Sequence, residues 1–217
     1  MKQREIFRNS EGDAWFTRNQ RESAGRNLPD DDMVLMELIG CLPVEAGRVR
    51  VLEIGCGEGG RLEWLMKHRN AECFGIDPSA KAVAAALERG VHAQEGTAEQ
   101  LPFDAGRFDV VIFGFCLYLC DRDDLSRIVF EANRVLRSPG WLLIQDFYSP
   151  TPRSRAYHHH PGVQTHKMDY RTLFTGSPDY ECMTHKVRHH VDGTYTDDPE
   201  EWVSVSVLRK FRKGPIA

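Results

Sequence analysis

Residues 51–60 read VLEIGCGEGG, an apolar run of Val51, Leu52 and Ile54 cut off by Gly55, Gly57, Gly59 and Gly60. A short apolar run ended by glycine fits a strand buried on both faces, and Leu62, Leu65 and Met66 continue at helical spacing. The stretch reads as strand, glycine turn and helix. Gly55, Gly57 and Gly60 satisfy GxGxxG, while Gly55, Gly57 and Gly59 satisfy GxGxG, so spacing alone does not choose between them. Glycine belongs here because a missing Cβ lets the backbone turn tightly and approach a ligand, and because the helix that follows presents unpaired N–H groups. Asp77 comes about twenty residues on, at the end of the next strand, where a carboxylate can accept from both hydroxyls of a ribose. Together these features point to an adenosine site. The plainer reading is a tight turn that merely needs glycine, with Asp77 as a helix cap.

Outward from this turn the chain alternates. Strand-like AECFGID (71–77), VHAQEG (91–96), FDVVIFGF (108–115) and WLLIQDF (141–147) follow the first strand, RVRVLEIG (48–55). Between them, Ala80, Val83, Ala84 and Leu87 mark one helix closed by Gly90, and Leu125, Ile128, Val129, Ala132 and Leu136 mark another stopped by Pro139 and Gly140. Such alternation specifies an α/β fold with a mostly parallel sheet and helices on both faces. Before the first strand, DDDMVLMELIGCL (30–42) predicts an amphipathic helix ended by Pro43, and residues 1–27 predict an arm with one short helix. After Phe147, YSPTPRSRAYHHHPGVQTHKM (148–168) has no periodicity and reads as a long functional loop. A short helix is expected at 170–174. YECMTHKVRHH (180–190) and EEWVSVSVLRKF (200–211) then predict two strands that pair antiparallel.

The chain has 217 residues, 41% hydrophobic and 28% charged, which suits one substantial core. One domain over 1–217 is expected: 1–45 as arm and helix, 46–147 as the cofactor-binding core, 148–217 as acceptor loop and C-terminal strands. Its 28 basic and 32 acidic residues give a formal charge of −4, which argues against a phosphate backbone as partner. No apolar run is long enough to span a bilayer, and the first residues, MKQREIFRNSEGD, are too polar for a secretion signal, so a cytoplasmic location with no membrane partner is expected. The six cysteines lack paired CxxC spacing and read as reduced core residues.

Three blocks carry a resemblance. Glu53 precedes Gly55, Gly57 and Gly59; Gly75, Asp77 and Ser79 form a GxDxS setting; and GTAEQLPF (96–103) leads into FDVVIF and later EANRVLRSPGWLLI. This arrangement resembles the class I S-adenosylmethionine-dependent methyltransferases, particularly the branch that includes the ubiquinone and menaquinone biosynthesis enzymes. The resemblance implies a Rossmann-like fold, a mostly parallel seven-stranded sheet with its last strand antiparallel, and S-adenosylmethionine as cofactor with S-adenosylhomocysteine as product. It places Gly55, Cys56 and Gly57 against the methionine portion, Glu53 toward the ammonium, Asp77 on the ribose, and Pro78, Thr97 and Ala98 at the adenine, with Gly59 and Phe113 also in the cofactor set. It also implies an N-terminal helix lying over the cofactor as a lid. Thr97 departs from the family, which usually has Asp there, so the adenine contact is uncharged.

Other readings are weaker. A short-chain dehydrogenase using NAD(P) needs a Tyr-x-x-x-Lys pair, and none of the tyrosines at 118, 148, 157, 170, 180 or 195 has a lysine four positions on. Enzymes acting on nucleic-acid amines carry Asn/Asp-Pro-Pro-aromatic after the fourth strand, where this chain reads FGFCLYLCD (113–121). A non-catalytic binding protein on the same fold is the remaining alternative. The acceptor is expected to be a small molecule held between the arm and the 148–167 segment. Trp15, Phe16, Tyr157, His158 and His159 are its expected contacts, with His158 or Tyr118 as the catalytic group. EGDAWFTRN (11–19) is weakly similar to a segment in methyltransferases of bacterial surface-sugar biosynthesis, which makes a sugar or sugar nucleotide the expected class. His158 and His160 with His185, His189 or His190 are candidate metal ligands, but no metal is expected, because consecutive histidines point different ways. Composition leaves the oligomeric state open.

Overall fold

A computed structural model describes residues 2–23, 27–42 and 48–211 of the chain. Seven strands form one sheet: β1 (Arg50–Ile54), β2 (Glu72–Asp77), β3 (His92–Glu95), β4 (Phe108–Gly114), β5 (Leu136–Phe147), and near the C-terminus β8 (Tyr180–His189) and β9 (Trp202–Lys210). Their order across the sheet is β3-β2-β1-β4-β5-β9-β8, with β1 to β5 parallel and β9 antiparallel to both its neighbours. The antiparallel last strand is therefore as expected, set one place in from the edge.

Alternation along the central strands shows why both faces are covered. Val51, Cys73, Val110 and Ile112 point into one core with Leu35 and Leu38 of α3 (Met33–Cys41), Leu62 and Leu65 of α4 (Gly60–Arg69), and Ala86 of α5 (Ala80–Glu88). Leu52, Ile54, Phe74, Ile76, Val111 and Phe113 point the other way, onto Ile128, Ala132 and Val135 of α6 (Leu125–Val135) and Phe174 of α7 (Thr172–Thr175). Each fully buried leucine here is worth about 1.5–3 kcal/mol against exposure. Helix starts follow local chemistry: Asp32 accepts from Leu35 N and caps α3, and Ser79 accepts from Ala82 N and caps α5. Helix α3 ends at Cys41; Pro43 lies outside the described residues.

Two expectations are corrected. The arm is not one short helix but a continuous helical path, α1 (Gln3–Ile6), a π-turn (Phe7–Glu11) and α2 (Gly12–Ser23). The wider turn breaks the 3.6-residue period, so its buried residues Ile6, Phe7, Glu11 and Phe16 show no regular stripe. The segment after Phe147 is likewise no open loop. It holds an antiparallel pair, β6 (Arg153–Ala156) and β7 (Gln164–Lys167), with His158–His160 in its turn. One face of this hairpin rests on the arm: Tyr157 and Val163 pack with Ile6 and Phe7, and Gln164 N donates to Gln3 Oε1 at 2.6 Å. With the buried apolar residues confined to Tyr157 and Val163 beside the turn, and only the polar His166 and Lys167 buried within the strands, there is no apolar alternation to read.

Candidate functional site

The ends of β1, β2 and β4 open on one cavity of about 400 Å³, roofed by the N-terminal helices. Its floor begins at the glycine turn. Gly55 has φ +76°, and a Cβ there would lie 2.8 Å from Cys116 Cβ, so both conformation and space require glycine. Gly55 N donates to Ile76 O at 2.8 Å, and Gly57 N donates to Asp77 Oδ2 at 2.9 Å. Asp77 Oδ1 accepts from Ser79 N at 2.9 Å, so the carboxylate ties the turn to the start of α5. Burial pushes Asp77 up to about 6 against these two N–H donors.

Deeper in, the Arg61 guanidinium stands between two carboxylates. It donates to Glu53 Oε1, to both oxygens of Asp32 at 3.1 Å, and to Gln145 Oε1 at 3.0 Å. Glu53 Oε2 is buried without a hydrogen-bond partner among the described residues, and burial pushes this carboxyl up to about 7 in spite of Arg61. Two acids around one cation leave a negative corner, chemically suited to an incoming ammonium. Gly114 makes room for it: a Cβ at that position would stand 2.5 Å from Glu53 Oε1.

Pro78, Gly96, Thr97, Ala98 and Glu99 line another part of the wall. Thr97 Oγ1 donates to Glu99 Oε1 at 2.7 Å, which leaves the hydroxyl oxygen free to accept. Phe7, Trp15 and Phe16 of the arm, with Phe115, Cys116, Leu119 and Cys120 after β4, supply an apolar wall. Phe115 is held at φ +51°, an uncommon conformation for a bulky residue, with its ring 5.5 Å from that of Phe147. Trp15 Nε1 donates to Tyr118 Oη at 3.0 Å, and burial raises that phenol above its usual range.

Of the residues singled out from sequence, Glu53, Gly55, Cys56, Gly57, Asp77, Pro78, Thr97, Ala98, Trp15 and Phe16 all meet in this lining. Gly59 sits just outside it as the left-handed cap of α4, Phe113 is fully buried in the core, and Tyr118 stands behind Trp15. Tyr157 is buried against Phe7, where Arg18 donates to its hydroxyl at 2.8 Å and its hydroxyl donates to Glu11 at 3.1 Å. His158 and His159 are exposed in the β6–β7 turn and outside the lining, which contains no histidine or lysine among the described residues. Arg61, Asp32, Glu99 and Gly114 were not anticipated. Arg61, directly after the last glycine of the turn, and Glu99, inside the GTAEQLPF block, carry a sequence signal; Asp32 and Gly114 reach the cavity from other elements.

Residues 52–144 match the Methyltransferase domain family. An uncharacterized methyltransferase of Bacillus subtilis (strain 168), YcgJ, is 36% identical over 109 residues, 46% of this chain and 42% of that protein. Phthiotriol/phenolphthiotriol dimycocerosates methyltransferase 1 of Mycobacterium ulcerans (strain Agy99) is 32% identical over 123 residues, 54% of this chain and 45% of that protein. The matched part thus spans less than half the length of these relatives. The fold extends further: 1,6-didemethyltoxoflavin-N1-methyltransferase of Burkholderia thailandensis, solved with 1,6-didemethyltoxoflavin and S-adenosylhomocysteine, superposes with a TM-score of 0.62 at 18% identity, covering 92% of this chain and 89% of that one. The architecture is the Rossmann-like methyltransferase fold.

Proposed function

We propose that this chain, which carries a methyltransferase domain over residues 52–144, binds S-adenosylmethionine in the cavity and methylates a small molecule. The observation that carries the reading is the convergence of the glycine turn, Asp77 and the unpartnered Glu53 Oε2 on one cavity. Glu53 would receive the ammonium and Arg61 would hold Glu53 in place, while Asp77 would accept from the ribose hydroxyls. Thr97 and Glu99 flank the adenine place. The sulfonium supplies the methyl group: the acceptor's lone pair forms the new bond as the methyl–sulfur bond breaks, leaving S-adenosylhomocysteine.

The chain's own contribution is placement and exclusion of water. Trp15, Phe16, Phe7 and Phe115 form a face against which an acceptor can lie, with Trp15 fixed by Tyr118. Among the described residues the lining holds carboxylates but no histidine or lysine, so a weakly acidic sugar hydroxyl would pass its proton to a carboxylate or to solvent. The acceptor class we carry forward is a sugar or sugar nucleotide, whose ring can stack on these aromatics; phenols and heteroaromatic amines are the comparison arm of an acceptor screen. The proposal is completed by a single domain and a cytoplasmic location, without nucleic-acid or membrane partners. Among the described residues no helix is long and apolar enough to cross a membrane.

Calorimetric titration with S-adenosylhomocysteine and, separately, NADH tests the cofactor. S-adenosylhomocysteine alone should bind, and Asp77→Ala should weaken it by about 1.5–3 kcal/mol, roughly 10- to 150-fold. Asp77→Asn, which retains one acceptor oxygen for the turn, should fall between them. Undiminished affinity in Asp77→Ala would remove the ribose contact, and binding of neither ligand by folded protein would favour a non-catalytic member of the fold.

A further inference from the structure

The turn between β8 and β9 gathers groups that lie apart in the sequence. His189 ends β8, His190 follows it, and Glu201 immediately precedes β9; one ligand atom from each lies within 4.8 Å of the other two. His190 Nδ1 is 2.5 Å from Glu201 Oε2, and His189 Nε2 is 3.7 Å from the same oxygen. The backbone holds this arrangement: His190 N donates to Glu201 O at 2.9 Å, and His189 N donates to Thr194 O at 2.8 Å. A second carboxylate stands behind the first imidazole. Asp192 Oδ1 is 3.1 Å from His189 Nδ1, leaving Nε2 as the nitrogen turned toward Glu201.

A carboxylate on the far nitrogen of an imidazole is the arrangement that orients metal-binding histidines. Two imidazoles and one carboxylate are borderline donors, suited to zinc and its first-row neighbours rather than to magnesium or calcium. At bond lengths of about 2.0–2.2 Å, the ligand atoms of a tetrahedral ion stand roughly 3.3 Å apart. The separations found, 2.5 and 3.7 Å, bracket that value. Small side-chain rotations would make room for an ion. The nearby cation Lys167 is already engaged by Glu200, through its carbonyl oxygen and, at 3.6 Å, its carboxylate.

We propose that His189, His190 and Glu201 bind one divalent transition-metal ion of the zinc class, with Asp192 orienting His189 and the remaining coordination open to solvent. The position gives the ion a consequence. Val203 pairs with Phe147 at the carboxyl end of β5, so the turn lies on the same sheet edge as the cavity. The His190 ring is 6.0 Å from that of Phe147, and Phe147 in turn touches Phe115 and Tyr118. A bound ion would clip the turn closed directly behind the aromatic wall.

The test uses the full chain, stripped with a chelator, dialysed and titrated with Zn²⁺ by calorimetry and with Co²⁺ by visible absorption. One saturable equivalent is expected, with Glu201→Gln at least tenfold weaker and His189→Gln/His190→Gln without the site. Far-ultraviolet circular dichroism checks that each variant folds, and the single conservative Glu201→Gln serves if the double variant does not. The triple variant His158→Ala/His159→Ala/His160→Ala is the control for adventitious binding by the other histidine cluster and should behave as the parent. Absence of a saturable equivalent overturns the proposal. So does binding that survives loss of His189 and His190, or that disappears with the 158–160 cluster instead.

Discussion

Asp146 shows how one buried group couples stability to pH. Wholly inaccessible at the end of β5, it accepts from Leu117 N, Tyr118 N and Phe147 N, yet burial outweighs these bonds and pushes its carboxyl up to about 7. An unfolded aspartate ionises near 3.8, so between these values the native state holds the proton more tightly than the unfolded chain. This stabilising contribution is complete below the unfolded value and is lost as pH rises through about 7. Thermal denaturation across that window should therefore show Tm falling with rising pH, and Asp146→Asn should flatten the slope. A variant with the parent's slope would assign the effect to another group. Gly114 provides a second residue-scale prediction. Gly114→Ala would force the Glu53 carboxylate from its place, so S-adenosylhomocysteine affinity should drop about tenfold or more while the fold persists, by calorimetry and circular dichroism. Unchanged affinity would mean that Glu53 does not hold the ligand.

At the level of elements, the N-terminal helices act as a roof fixed from several sides. Asp121 accepts from Gln3 N at 3.0 Å and Arg4 N at 3.1 Å, closing the start of α1 onto the segment after β4. Further along, Asp13 Oδ1 accepts from Ser79 Oγ at 2.6 Å and Lys81 N at 3.1 Å, joining α2 to the first turn of α5. The Ser79 hydroxyl is also the cap of α5, so the element that carries Asp77 and the roof share one hydrogen-bond network. Removing the Asp13 contact should loosen the roof without disturbing the sheet. Asp13→Ala should speed S-adenosylhomocysteine release by roughly fivefold, for about 1 kcal/mol of lost hydrogen bonding, and raise amide exchange across 12–20. Equal exchange in both proteins would show that the contacts of Gln3, Arg4, Ile6, Phe7 and Trp15 hold the roof without Asp13.

Across the whole molecule, ligand binding and folding are linked because the cavity is assembled from distant parts. Trp15, Asp77, Glu99 and Phe115 line one space only when the arm, three strand ends and the segment after β4 are all in place. A ligand that binds only this assembled state adds about 2.7 kcal/mol of stability at one hundred times its Kd. For a chain of this size that corresponds to a rise in Tm of roughly 5–10 °C, which differential scanning fluorimetry with S-adenosylhomocysteine can read. Asp77→Ala should show a much smaller rise at the same ligand concentration. A full rise in that variant would locate the ligand elsewhere.

The central fold was legible in the sequence because its signals are local. VLEIGCGEGG, FDVVIF and the helices beginning at Gly60 and Ala80 each declare themselves by period, by cap or by a glycine that only one backbone conformation needs. Asp77 follows from the same local signals, while Glu53, Thr97 and Ala98 come from the family resemblance; all four line the cavity. Tertiary structure alone decided the rest. The π-turn hid the continuity of the arm, and the β6–β7 hairpin gains its shape from packing on that arm rather than from any pattern of its own. Asp32 reaches the cavity, and Glu201 reaches His189 and His190, through sheet order and helix docking. Such pairings join residues far apart in the chain, and their energy lies in contacts between elements, which no window of neighbouring residues contains.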